Sequence, residues 1–312
     1  MAVTRQNLSG GVFRFGEFYI GTDSHVHNLD TGTDLTVVSG APAVMAGTPV
    51  TALQKNSYQR VYYISVGAHL MELAEGDSNQ WSSTDLTLLT GAWPATSTKL
   101  TSIGLPGNNG DTSIYPRVYF VGTNNHVQEL AWASGWHLTD ISAAAGAFTP
   151  ATGSPLASLV YSNADPILPS TSNFPRVYFV DVNGYVNELA YQGGWHAANI
   201  SSVGGTAAVA GIASPLAATN IGAQNGGGLR VYYANAAGHL YQLTWEWGGG
   251  YWTVADLTSQ TSTPALATNG GQMAVDNGEY HQFNIFYTTS DSHLRQLKWW
   301  GGWYQYDLGT VN

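Results

Sequence analysis

The chain has 312 residues, no cysteine, 10 Lys+Arg against 20 Asp+Glu, and a formal charge of −10 with only 10 % charged residues. The length allows a sizeable core. The acidic balance excludes a nucleic-acid backbone or an anionic membrane as the expected partner, and zero cysteine excludes disulfides, thiolate nucleophiles and Cys-ligated metal. With 37 glycines, 18 tyrosines and 11 tryptophans, the composition favours short strands joined by turns over helices.

The opening MAVTRQNLSGG has no apolar leader region, and no apolar run approaches the ~20 residues that span a bilayer. The expectation is a soluble protein, cytoplasmic or exported by a leaderless route, without membrane insertion; a homo-oligomer is compatible with the sequence.

In chain order, six similar segments follow. They are GEFYIGTDSHVHNL from Gly16, RVYYISVGAHLMEL from Arg60, RVYFVGTNNHVQEL from Arg117, RVYFVDVNGYVNEL from Arg176, RVYYANAAGHLYQL from Arg230 and NIFYTTSDSHLRQL from Asn284. Their spacings are 44, 57, 59, 54 and 54 residues, so repeats fill the chain. Each repeat reads as four strands. The first follows a small-residue or proline lead, as in SPLASLVY and SPLAATNI. The second is the RVYF run, the third the HVQEL run, and the fourth follows a Trp, as in GWHLTDIS. Four antiparallel strands per ~50 residues, six times over, is the pattern of an all-β, six-bladed β-propeller. The expectation is a single propeller domain over 1–312, with blades at about 10–46, 47–96, 97–150, 151–210, 211–262 and 263–312. Each blade would be complete in itself, with none shared by the two chain ends.

Two repeated features read as scaffold. Asp34, Asp85, Asp140, Asn199, Asp256 and Asp307 precede Leu or Ile; a short acid at a strand end accepts backbone N–H bonds from the following turn. His25, His69, His126, His239 and His293 recur before the third strand, with Tyr185 in the fourth repeat. One His per blade is spaced too widely for the copies to share a metal ion. A turn-flanking residue bonded locally is the better reading, with a lining of a central tunnel as the alternative.

A third feature carries chemistry. Of seven arginines, four open a second strand; of seven glutamates, three close a third strand. The pairs Arg60/Glu72, Arg117/Glu129 and Arg176/Glu188 lie 12 apart around a turn, which predicts residues directly opposite each other on one face of a hairpin. As a mere exposed ion pair each would contribute about 0.2–1 kcal/mol. Yet the first repeat has Gly16/Asn28 and the last Asn284/Gln296 while their hydrophobic residues persist, so folding does not require the pair. A fourth-strand Trp recurs as Trp81, Trp136, Trp195, Trp252 and Trp303 but not in the first repeat. Planar Arg and Glu suit sugar hydroxyls, and an aromatic surface suits a sugar's C–H face.

This RVYF…HVQEL…W pattern resembles the fungal fucose-specific lectins of the Aleuria type and related bacterial propeller lectins. The resemblance covers the whole chain and is strongest in repeats two to four. It implies sugar sites between adjacent blades. There the second-strand Arg and third-strand Glu bind fucose hydroxyls, and an aromatic of the next blade packs on the sugar's apolar face and methyl. By position it implies one site at Arg60, Glu72 and Trp136, a second at Arg117, Glu129 and Trp195, and a third at Arg176, Glu188 and Trp252. For the third, the insertion in WEWGGGYW makes Trp247 an alternative wall. Arg230, Gln242 and Trp303 imply a weaker fourth site, since an amide loses charge assistance. Trp81 stands without Arg or Glu. The implied ligands are fucosylated or related glycans, with no cofactor.

The competing readings are a protein-interaction propeller and, further off, a glycoside hydrolase. Nucleophile-elbow, H-E-x-x-H, P-loop and sialidase-box motifs are missing. The candidate acids for a hydrolase, which needs two carboxylates about 5–9.5 Å apart, are Glu72 with Glu75, and Glu246 between Trp245 and Trp247.

Overall fold

In the computed structural model, the described residues are 2–8, 12–55, 57–107, 113–146, 148–162, 173–202, 214–221, 228–246, 250–267, 271–277 and 283–310. Each sheet is built from strands consecutive in sequence and antiparallel throughout. The first sheet holds β1 (Ala2–Leu8), β2 (Val12–Ile20) and β3 (Val26–Asn28). The second holds β4 (Thr51–Lys55), β5 (Tyr58–Ile64), β6 (Leu70–Glu75) and β7 (Trp81–Asp85). The third holds β8 (Ala95–Pro106), β9 (Ile114–Gly122), β10 (Val127–Trp132) and β11 (Trp136–Asp140). The fourth holds β12 (Leu156–Ser162), β13 (Asn173–Val180), β14 (Val186–Tyr191) and β15 (Trp195–Asn199). The fifth holds β16 (Leu216–Ile221), β17 (Gly228–Ala234), β18 (Leu240–Glu246) and β19 (Trp252–Asp256). The sixth holds β20 (Met273–Asn277), β21 (Phe283–Thr288), β22 (His293–Trp299) and β23 (Trp303–Thr310). The chain groups into two compact units, Met1–Ala144 and Ala145–Asn312, each with three sheets.

The first sheet departs from the expected four strands. It has three, and β1 lies ahead of the boundary expected at residue 10. Only five residues separate Asn28 from Asp34, whereas twelve separate the equivalent Glu72 and Asp85, with most of β7 among them. The short segment reaches Asp34 but cannot turn and run back as a strand. It therefore presents no fourth-strand Trp.

The second and third strands read as unbroken apolar runs because both their faces are buried. Val61, Tyr63, Met71 and Leu73 pack with Phe18 and Val26 of the first sheet. Their alternate neighbours Tyr62, Ile64 and Leu70 pack with Val118, Phe120 and Leu130 of the third. In the second unit, Tyr178, Val180 and Val186 meet Val231, Tyr233 and Leu243. Tyr232 and Leu240 meet Ile285, Tyr287 and Leu297. The second and fifth sheets thus each serve two cores, and a buried aliphatic or aromatic side chain contributes about 1.5–3 kcal/mol.

The repeated Asp-Leu-Thr is a compound joint. Asp34, Asp85 and Asp256 cap one-turn helices, α1 (Leu35–Ser39), α2 (Leu86–Thr90) and, after α3 (Ile141–Ala145), α4 (Leu257–Thr261). They accept from Val37, Leu88 and Ser259 N–H; Asp140 accepts likewise from Ala143 and Asn199 from Ser202. The next residue, Leu35, Leu86, Ile141, Ile200 or Leu257, is buried. The one after, Thr36, Thr87, Ser142, Ser201 or Thr258, accepts the first N–H of the third strand at 2.7–2.9 Å. A carboxylate oxygen of the Asp also holds the repeated histidine. The Nδ1 atoms of His25, His69, His126, His239 and His293 lie 2.6–2.9 Å from Asp34, Asp85, Asp140, Asp256 and Asp307. The local-bond reading of the histidine therefore holds. In the fourth repeat both partners change together, to Tyr185 and Asn199.

Among the described residues, no helix is long and apolar enough to cross a membrane.

Candidate functional site

The Arg/Glu pairs share a face, but their register differs from the expected one. Glu72 opposes Tyr62, and Arg60 opposes Ala74. Glu129 opposes Tyr119 and Glu188 opposes Tyr178 in the same way. The connecting turn is centred on residue 67, since Ser65 N–H donates to His69 O, and not on the midpoint 66. Ala68 adopts φ +63° to close it. A one-residue shift of the centre moves the pairing by two, so Arg and Glu meet diagonally. Their closest approaches are 3.6 Å for Arg60–Glu72, 2.8 Å for Arg117–Glu129 and 3.5 Å for Arg176–Glu188.

The group facing each carboxylate is a tyrosine. Tyr62, Tyr119 and Tyr178 donate their hydroxyls to Glu72, Glu129 and Glu188 Oε1 at 3.1, 3.1 and 3.0 Å. The sequence carries this signal. Where Arg and Glu are lost, the same position reads Phe18 and Phe286, so hydroxyl and carboxylate disappear together. In the fifth repeat Gln242 faces Tyr232, whose hydroxyl finds no partner among the described residues.

These carboxylates are not exposed: Glu72, Glu129 and Glu188 retain 7, 3 and 9 % of their surface. The surface ion-pair estimate therefore does not apply to them. Burial raises the pKa of Glu72 and Glu188, with Arg60 or Arg176 and the facing tyrosine pulling it back. Burial likewise pushes Tyr62, Tyr119 and Tyr178 well up, so they remain donors.

Aromatics complete the site in each unit. In the first, Trp136 of β11 packs edge-on against Tyr62 with centroids 6.0 Å apart. Its indole N–H lies near Glu72 without meeting hydrogen-bond geometry. Trp132, the last residue of β10, packs edge-on against Trp136 at 5.7 Å and carries Lys55 Nζ 3.7 Å above its ring. In the second unit, a cavity of about 200 Å³ is lined by Arg176, Glu188, Ala190, Gln192, Leu229, Trp245 and Trp252. Trp252 packs edge-on against Tyr178, and Arg176 lies over the Tyr161 ring at 5.5 Å. Here the predicted Arg, Glu and Trp line one hollow. Trp247 lies outside the described residues; Trp245 supplies the second wall.

This second wall escapes the sequence reading, although it is periodic. Trp132, Tyr191, Trp245 and Trp299 each stand three residues after the third-strand Glu or Gln, and the second repeat has Glu75 there. Each faces the fourth-strand Trp across an antiparallel pair. Trp195, in the second unit, packs against Tyr191 in this way at 5.6 Å. Arg117 and Glu129 belong to the first unit.

At the fifth repeat the acid is not lost but moved. Arg230 Nη2 donates to Glu246 Oε1 at 2.8 Å, while Gln242 donates to Thr244. Trp303 packs at 5.2 and 5.3 Å against Phe283 and Trp299. Because the Glu246 side chain is 60 % exposed, Glu246→Ala is expected to change stability by less than about 1 kcal/mol in chemical denaturation. Glu246 is therefore ion-paired, and Glu72 and Glu75 project from opposite faces of β6, with Glu75 accepting from Gln59 N–H.

Between the first two sheets a larger cavity, about 450 Å³, is lined by Asn28, Thr31, Thr33, Val38, Asn79, Gln80 and Trp81. It keeps the Trp wall, edge-on to Phe18 at 6.0 Å, but among the described residues its lining holds neither guanidinium nor carboxylate.

A family model described as fungal fucose-specific lectin matches residues 26–167 and 166–311. A fucose-specific lectin of Aspergillus oryzae is 28% identical over 135 residues, which are 43% of this chain and 41% of that protein, so less than half of its length is matched. The six-bladed lectin of Aleuria aurantia covers 100% of this chain and 96% of its own at 18% identity, with a TM-score of 0.65. The BP39L lectin of Burkholderia pseudomallei covers 99% and 84% at 17% identity, with a TM-score of 0.68. These likenesses give the fold, the six-bladed β-propeller with the six sheets as blades. With the family model matched over nearly its whole length, the chain belongs to the fungal fucose-specific lectins.

Proposed function

We propose that this chain is a multivalent, non-catalytic carbohydrate-binding lectin of a single propeller domain, taking fucose and fucosylated glycans in its Arg/Glu/Tyr/Trp pockets. The observation that carries the reading is the hollow where Arg176, Glu188, Trp245 and Trp252 converge. A guanidinium and a carboxylate there can bond vicinal hydroxyls, with charge-assisted bonds about twice as strong as neutral ones. Two indoles offer an apolar wall for a ring face and a methyl group. Burial of the carboxylate argues for such a use, since an ion pair held out of water adds little to stability. A mutant of the Aleuria aurantia lectin has been solved with alpha-methyl-L-fucoside, which supports fucose as the first ligand to try. On a glycan array, fucosylated structures should outcompete galactose-terminated ones. Binding confined to unfucosylated glycans would remove fucose and leave the lectin reading; retention by no glycan would remove both.

Acid should separate binding from folding. Because the pKa values of Glu72 and Glu188 are raised above 4.5, their carboxylates protonate while ordinary ones remain ionised. A raised carboxyl pKa means that the folded state holds the proton more tightly. Its contribution to stability is full below the unfolded value and is lost as pH rises through the folded one. Acidification thus relieves a burial cost at these two groups. Asp34, Asp140, Asp256 and Asp307, whose bonds to histidine and backbone N–H outweigh their desolvation, have lowered values, so their stabilisation is present above the ordinary aspartate value of about 3.9 and lost as pH falls further. As pH is lowered, titration calorimetry should show sugar affinity falling before pH 4.5 is reached, while the thermal midpoint holds. Loss of both together would contradict the assignment of these carboxylates to the sugar.

A further inference from the structure

The first blade carries a second cluster that sugar binding does not use. Asp23, His25 and Asp34 each place a ligand atom within 4.8 Å of the others. His25 Nδ1 is 2.7 Å from Asp34 Oδ2 and 3.8 Å from Asp23 Oδ2. Four-coordinate zinc, with bonds of about 2.0–2.2 Å, sets its ligand atoms roughly 3.3–3.5 Å apart, within the spread of these separations. His27 Nε2 contacts both oxygens of Asp23 at 3.0 and 3.1 Å and is stacked on Tyr19 at 5.2 Å. It orients the carboxylate as a supporting hydrogen bond around a metal does.

The sixth blade shows what this constellation attracts. Its equivalents are Asp291, His293 and Asp307, and His27 is replaced by Arg295. That guanidinium bridges the two carboxylates, 3.0 Å from Asp291 and 3.3 Å from Asp307. The same pair of acids in one repeat is thus neutralised by a resident cation from a side chain. In the other repeat the place of that side chain is taken by an imidazole.

We propose that Asp23, His25 and Asp34 bind one divalent transition-metal ion, zinc in the first instance, with water in the fourth position and His27 holding Asp23. Imidazole nitrogen with carboxylate oxygen suits zinc better than calcium or magnesium, which prefer oxygen alone. The ion replaces the proton shared by His25 and Asp34. It also ties the β2–β3 turn to the cap of α1 in the blade described with three strands, so its binding energy adds to the stability of that blade.

Other repeats supply variants that the fold accepts. Asn124 and Asn183 stand where Asp23 does, and Arg295 where His27 does. Zinc titration of the tag-free full chain by calorimetry should give one site at micromolar affinity. Excess zinc should raise the thermal midpoint of the wild-type chain; Asp23→Asn and His27→Arg should each weaken binding at least tenfold and abolish that rise, while sugar binding persists. Arg295→His should add a second site. A wild-type chain that takes no zinc up to millimolar concentration, or an Asp23→Asn chain with an unchanged isotherm, would overturn the proposal. His27→Arg and Arg295→His provide the same decision if Asp23→Asn does not fold.

Discussion

Glu188→Ala is expected to cost about 3–5 kcal/mol of folding stability, whereas Glu188→Gln should cost about 1 kcal/mol and still weaken the sugar site. Alanine leaves Arg176, 6 % exposed, and the Tyr178 hydroxyl without the carboxylate they share. Removing one partner of a buried pair strands the other charge. The cavity at Arg176 admits some water, which places the loss toward the lower end. Glutamine offers Tyr178 an acceptor oxygen and relieves the burial penalty that raises the Glu188 pKa; the fifth blade carries an amide at this position, Gln242, and tolerates the facing Tyr232 hydroxyl unbonded. The amide lacks the charge that strengthens a bond to a sugar hydroxyl. Urea denaturation and calorimetry on both variants separate the two effects. An alanine variant as stable as wild type would mean that Arg176 is well solvated and the pair is not a buried one.

How much of this is legible in the sequence depends on what each feature rests on. The repeat, the strands and the Arg, Glu and fourth-strand Trp positions rest on residue identities that recur from repeat to repeat, and outside the first blade the structure places them on the expected strands. The register does not. Whether Arg60 faces Glu72 or Ala74 is decided by a turn in which Ala68 takes a left-handed backbone conformation, and nothing in its side chain announces that. The shortened first blade leaves its mark in the 44-residue spacing, a mark that the expectation of a regular repeat hides. Tyr62, Tyr119 and Tyr178 are hard to see because an aromatic in an apolar strand reads as core. They are indeed core, and only the exchange to Phe18 and Phe286 ties the hydroxyl to the Arg/Glu pair. The joint of His and Asp needs three dimensions. Each repeats on its own, and the fourth repeat alone, with Tyr185 and Asn199, ties their losses together.

The sixth blade also shows how to remove a site without stranding a charge. There Gln296 donates to Asn284 at 2.9 Å, and Phe286 lies opposite Gln296. Transplanting that trio into the fourth blade gives Arg176→Asn, Tyr178→Phe and Glu188→Gln together. The second and third blades take the same exchange at Arg60, Tyr62 and Glu72, and at Arg117, Tyr119 and Glu129. The two amides introduced bond each other as Gln296 and Asn284 do and no charge is left buried, so the thermal midpoint should move little. Free-fucose stoichiometry should fall by one with each blade converted. A shallow site for one monosaccharide buries little area and binds in the micromolar to millimolar range. Strength on a glycan-coated surface comes from several sites engaging at once, which raises avidity about 10²–10⁴-fold. The first conversion should therefore cost less on a surface than the last. The three together should cost about 10²-fold or more in residence time, measured by surface plasmon resonance. A stoichiometry of one, unchanged by two of the three conversions, would make the repeated Arg, Tyr and Glu scaffold and assign the sugar to a single blade.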